Sequence, residues 1–244
     1  GEYAKKMFGQ FATQILDEGM KTAPNKGVVA MINERVAEID RILSDQLNAI
    51  MHHEQFQALE ASWVGLHDMV FGSETSTSLK LRLLNVSKKE LLKDLEGAVD
   101  HDMSVLFKKV YEDEYGTFGG HPYSVLIGDY YFGRHPQDMA LLQRLSKVAA
   151  ASHAPFISAA APSLFDMGSF TDLGVPRDLS KIFESAELAT WRSFRDSEDS
   201  RYVSLVLPRY AARLPYGPDI KPVESFNFVE DVDGTDHSKY LWAN

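Results

Sequence analysis

The sequence contains no cysteine. That excludes disulfides, thiolate metal sites and cysteine nucleophiles together, and it fits a reducing cytosol. Long apolar runs are also missing: nothing approaches the roughly 18 uninterrupted apolar residues of a membrane span. No basic stretch precedes an apolar core at the N-terminus, so no signal peptide is visible. No run of lysine and arginine occurs, and 35 acidic residues outnumber 25 basic ones for a formal charge of -10. Such a chain is repelled by phosphate backbones, which argues against a nucleic-acid partner. Phosphate cradles are absent too. "GTFGGHP" supplies glycines, but neither G-x-G-x-x-G nor G-x-x-x-x-G-K-[ST] is present, and there is no G-x-S-x-G elbow.

What is present is ordinary globular composition, 44% hydrophobic and 25% charged over 244 residues. That is enough chain to bury a sizeable core. The first 72 residues read as helix. "FGQFATQIL" is a short amphipathic candidate ending near Gly19, and "TAPNKG" breaks the chain with Pro24 and Gly27. Val29, Ile32, Val36, Ile39, Leu43, Leu47 and Ile50 then recur at spacings of three and four, the stripe of a helix with one buried side. Phe56, Leu59, Trp63, Leu66 and Val70 continue the pattern to Gly72, as one long helix or two joined near the histidines. Either way the stripe needs a partner surface.

Beyond the polar linker "GSETST" the texture changes. "LKLRLL" alternates like a strand, and Ser87 and Glu90 have capping-box spacing. Met103, Leu106, Phe107, Val110 and Tyr111 predict a helix closed near Gly116. Met139, Leu142, Leu145 and Val148 predict another, and Leu188, Trp191 and Phe194 a third. Between them "YSVLIGDYYF", "PFISAAA" and "YVSLVL" suit buried strands. The alternation predicts an α/β fold: a helical N-terminal region over 1–72, then a layered α/β domain over 73–244 with a mostly parallel sheet. The proline-rich "PRYAARLPYGPDIKP" and the acidic "VEDVDGTDHSKY" read as irregular chain. Because the chain starts at Gly1 and stops at "KYLWAN" without a closing element, it reads as an excised piece of something longer.

The chemical candidates are few. "MHHEQFQALEASW" nearly spells H-E-x-x-H, but position 57 is Gln57, a poor zinc ligand. His53, Glu60 and His67 share a helix face at spacings of seven, a rise of about 10.5 Å per step, too far to close on one ion at bonds of roughly 2 Å. No metal site is expected. "DVDGTD" resembles part of a calcium loop, but its glycine is fourth rather than sixth and Trp242 replaces the bidentate Glu. Asp129 follows the apolar run "VLIG" with His121, His135 and Asp138 near in sequence. It reads first as a polar end to a buried strand. The alternative is an open α/β ligand-binding or hydrolytic domain using Asp129 and His135 at a strand end. Met51, Phe56 and Trp63 are candidates for a core or for a partner groove. No catalytic residue and no cofactor is expected.

Four segments carry a resemblance: "EIDRILSDQLNAIMHHEQFQALEASWVGLHDMV", "LIGDYYFGRHPQDMALL", "PFISAAAPSLF" and "WRSFRDSEDSRYVSLVLPRYAARLPYG". In order and without large gaps, from about residue 3 to residue 244, the chain resembles the large subunit of the bacterial type VI secretion contractile sheath, the TssC/VipB (EvpB) family. The resemblance implies a cytoplasmic structural protein and no catalytic residues. It implies pairing with a small sheath subunit (TssB/VipA) and polymerisation with neighbouring protomers around an Hcp inner tube. For the full-length chain it also implies disassembly by the ClpV ATPase. It further implies that the C-terminal half is absent here. Many members carry Glu where this chain has Tyr131, a departure that argues further against carboxylate chemistry at that strand.

Overall fold

The structure is a computed structural model that describes residues 1–17, 28–175 and 178–243. Helices α1 (Glu2–Asp17), α2 (Val28–Met51) and α3 (Glu54–Phe71) come first. The predicted break at "TAPNKG" and the helix end at Gly19 lie outside the described residues. Next come α4 (Lys88–Gly97) and α5 (Val105–Phe107), which runs on as a π-helix over Lys108–Tyr115. Strand β1 (Leu126–Phe132), α6 (Pro136–Ala151), β2 (Phe156–Ala160), α7 (Leu179–Ile182), α8 (Ala189–Arg195) and β3 (Val203–Val206) follow. The short strands β4 (Tyr210–Ala211) and β5 (Trp242–Ala243) close the order. The chain clusters into two units. One comprises Gly1–His53 with Pro215–Lys239, the other Glu54–Leu214 with Tyr240–Asn244.

In the second unit β1, β2 and β3 form a three-stranded parallel sheet in that order, and β4 pairs antiparallel with β5. Parallel neighbours require crossovers, and α6 and α8 supply them. Helix α6 is the centre of the core. His135 caps its start by accepting from the Gln137 amide at 3.3 Å, Pro136 opens the first turn, and Met139, Leu141, Leu142, Leu145 and Val148 are buried on it. Leu95, Phe107, Phe132, Phe156, Leu164, Phe194 and Val203 pack in the same cluster, so α4, α5, α8 and all three long strands share one apolar interior.

The capping box forms as the Ser87–Glu90 spacing requires, with each residue bonding the other's amide at α4. "LKLRLL" does not become a strand: residues 79–87 lie outside any helix or sheet. An alternating pattern supplies the faces of a strand, but the strand exists only when a neighbour takes up its amides and carbonyls.

Strand β1 carries one irregularity. Its pairing with β2 slips between Gly128 and Tyr131, so Asp129 and Tyr130 sit in a bulge. The buried Ser158 hydroxyl, on β2, lies 2.7 Å from the Gly128 carbonyl and 2.8 Å from that of Tyr130, and takes up the bonding capacity the bulge leaves open. Gly128 is required by close approach: a Cβ there would sit 2.6 Å from the Phe156 ring.

In the first unit, the return segment is held to the end of α2. The Asn48 side chain donates to the Val229 carbonyl at 3.1 Å and accepts the Asp231 amide at 3.0 Å. Glu230, between them, is buried. It accepts the Tyr216 amide at 2.9 Å and lies 3.5 Å from the buried Nε2 of His52. A buried carboxylate needs such partners, because an unpaired one would lose several kcal/mol of solvation.

Candidate interaction surface

The heptad-like stripe of α2 is the most distinctive surface. Val29 is 72% exposed, Val36 50% and Ile39 47%, and Ile32, Leu43 and Ile50 are exposed with them. No described side chain of α2 is buried. Ion pairs one turn apart add local support: Arg35 to Glu38 at 2.6 Å and Arg41 to Asp45 at 2.9 Å. Pairs of this kind contribute only about 0.2–0.5 kcal/mol each. An apolar row of this length exposed on a helix marks a candidate interaction surface.

A size estimate says how far this row goes. From Val29 to Ile50 the helix rises about 32 Å, and a strip about 10 Å wide gives an area on the order of 300 Å². A stable interface takes roughly 800 Å² from each partner. The α2 row alone is therefore smaller than one side of a stable interface.

Helix α3 presents a second row. Phe56, Leu59 and Trp63 are exposed, and none of its side chains is buried. Its other side is anchored within its own unit. Arg213 forks onto Glu60, with Nε to Oε1 at 2.6 Å, and Ser62 donates to Asp129. Of the three residues predicted for partner contact, Met51 is half-buried at the end of α2, while Phe56 and Trp63 lie on the open row of α3. The break between the helices falls at His52 and His53, so the two rows belong to separate helices.

The Asp129–His135 alternative fails on placement. Asp129 is in the middle of β1 and not at its end, because the strand resumes pairing at Tyr131 and Phe132 after the bulge. Its carboxylate takes the Ser62 hydroxyl, whereas His135 caps α6. Asp138 accepts the Gly133 amide at 2.8 Å and meets Lys88 at 2.6 Å, and Lys88 also donates to the Tyr131 carbonyl at 2.7 Å. His121 lies with Lys80, 3.1 Å away. Each of the four polar groups is committed to a different structural contact. Among the described residues no three His, Asp or Glu side chains are grouped to hold a metal ion.

Perturbed acids tell the same story. Glu114 is held below the usual carboxylate range, first by the Arg82 guanidinium and then by the His121 amide. Asp233 is lowered to about 2 by the Thr235 amide and hydroxyl and by the Asp236 amide. In both the ionised form accepts fixed donors at a turn, which stabilises a loop and activates nothing. Among the described residues no helix is long and apolar enough to cross a membrane.

With this geometry in place, comparison decides the kind of protein. The family described as "VipB: EvpB/VC_A0108, tail sheath N-terminal domain" matches residues 33–244. The chain belongs to this family. It is a structural sheath family and not an enzyme family. The chain is also 53% identical over 218 residues to the type VI secretion system sheath protein TssC1 of Pseudomonas aeruginosa, a match covering 88% of this chain and 44% of that protein. The chain thus spans less than half the length of the relative it matches. Two features of this tail sheath domain escape the periodicity reading. The His52–Glu230 contact joins residues 178 positions apart and has no short-range signal. Phe118 is fully exposed at a glycine-flanked loop, where composition alone gives no hint of its exposure.

Proposed function

We propose that the chain is the N-terminal and middle part of the large subunit of a bacterial type VI secretion contractile sheath. In this reading it works in the cytoplasm, pairs with the small sheath subunit TssB/VipA and assembles with neighbouring protomers around an Hcp inner tube. The full-length protein is then the one that ClpV disassembles. The observation that carries the proposal is the 53% identity to a sheath protein over 88% of the chain. The uncovered rows of α2 and α3 support it, because a sheath subunit needs apolar surface reserved for other chains. Met51, Phe56 and Trp63 would contribute to that contact. Contraction would be a rigid-body change between two packings of intact domains, which calls for bistable interfaces and no nucleotide site.

The test is to co-express the full-length protein with its small partner and image the product. Stable heterodimers and tubular assemblies are expected. Failure to form either, with both chains folded, would refute the assignment.

A further inference from the structure

The leucine-rich stretch after the first linker has the side-chain pattern of a strand and none of its bonding. Lys80 reaches His121 at 3.1 Å, and Arg82 bonds Glu114 and, at 3.3 Å, the Tyr123 hydroxyl. Both cations thereby face the end of the π-helix and the loop that follows it. The alternate residues Leu79, Leu81 and Leu83 are 44%, 38% and 71% exposed, and Leu84, in register with the two cations, is exposed as well. Period-two alternation is what extended backbone produces. Yet among the described residues no backbone N–H from Lys80 to Val86 has an acceptor. No carbonyl from Lys80 to Asn85 has a donor, and only at the ends do Leu79 and Val86 accept bonds, from the Ser76 amide and the Tyr130 hydroxyl.

Solvent can bond such groups, but leucines are a poor choice for a strand that stays in water, since they expose apolar area and invite pairing. Side-chain clamps at Lys80 and Arg82 hold the stretch in place, so part of the ordering cost of pairing is already met. Among the described residues the larger sheet of the same unit has three strands, fewer than the usual four to six or so. The relative matches over 44% of its length, so more than half of a sheath protein of that size lies outside the aligned stretch.

We propose that residues 80–86 are the docking edge for an extended segment from the remainder of the full-length sheath polypeptide, paired within the same chain. The inference rests on the sheath assignment for the existence of that remainder. The incoming segment is apolar at alternate positions, to join the Leu79–Leu81–Leu83 face, and carries no cation opposite Lys80 or Arg82, where like charges would repel. Self-pairing of two copies is disfavoured on this ground: an antiparallel pair centred on Leu81 sets Lys80 against Arg82, and one centred on Arg82 sets the two arginines together. Delivery from the same chain needs no partner encounter, because a tethered segment is present at high effective concentration.

Amide hydrogen exchange tests this directly. Residues 80–86 are followed in the 244-residue chain and in the full-length protein, each as a monomer without the small sheath subunit. Fast exchange is expected in the first, and protection higher by about a hundredfold or more in the second. Equal exchange in the two overturns the proposal. Protection that arises only when the small subunit is added also overturns it, by giving the edge to another chain. Leu81→Pro provides an independent readout, since it removes a donor that is unpaired in the shorter chain. It should leave the melting temperature of the 244-residue chain unchanged and lower that of the full-length monomer. A full-length melting temperature that does not move would count against the pairing. None of these measurements depends on tube formation, so the outcome is separable from that of the sheath assay.

Discussion

Ser158 shows how much one hydroxyl can decide. It lies on β2 beside the β1 bulge, its single O–H within reach of both the Gly128 and the Tyr130 carbonyls. Ser158→Ala removes the donor and leaves buried acceptors behind, at a cost of about 1–2 kcal/mol. Ser204→Ala, on the exposed side of β3, should change stability by less than about 0.5 kcal/mol. Chemical denaturation of both variants makes the comparison, and equal midpoints would mean that the bulge is held by something else. Asp233 supplies a second residue-scale prediction. Because folding lowers its pKa to about 2, the linked stability of its turn is complete above about pH 5 and is lost as the pH falls towards that value. An NMR titration of the Asp233 carboxyl should give a midpoint near 2, well below the ordinary value of about 3.9.

At the scale of elements, α2 and α6 are both amphipathic in sequence and opposite in fate. Helix α6 buries its apolar residues against three strands and three helices, whereas α2 keeps its row in water. Replacing Val36 and Ile39 together by serine should therefore leave the thermal midpoint of the chain nearly unchanged. The same double substitution should weaken capture of the small sheath subunit by tenfold or more, taking each lost apolar contact as about 1 kcal/mol. Pull-down and thermal melts on one preparation read both effects. A large drop in midpoint with normal capture would place the row inside the fold instead. Apolar spacing and end signals made the longer helices, the capping box and the three parallel strands legible in advance, but not α7 or the short strand β4, which lies in the proline-rich stretch read as irregular. Such signals could not show which apolar face finds a partner, because burial depends on neighbours distant in sequence. "LKLRLL" is the sharpest example: the alternation is real, and the ladder is absent.

For the whole molecule, two units of unequal internal support are expected to open differently. Amides of α6 and β2 should exchange only through global unfolding, since their side chains form the shared core. Those of α2 should exchange much faster through local opening, since no described side chain of that helix is buried. Mass-spectrometric exchange on the 244-residue chain resolves the two, and uniform protection would show that α2 is as firmly supported as the core. Among the described residues neither the loop carboxylates nor the histidines are grouped into a metal-holding cluster. Asp129 and His135 made a plausible pair on paper because they are six positions apart. The bulge and the helix cap give them different tasks.

The amino-acid order by itself marked the longer helices and the three parallel strands, through apolar spacing and end signals, and it carried the sheath resemblance in four long segments. The absence of cysteine and of phosphate or nucleophile motifs removed whole classes of chemistry before any coordinate was needed. Only the tertiary structure decided that Asp129 lies inside a strand, that Glu230 meets His52, and that the leucines of 79–83 face water. Those outcomes depend on which distant groups meet across the fold, and short-range spacing holds no record of that.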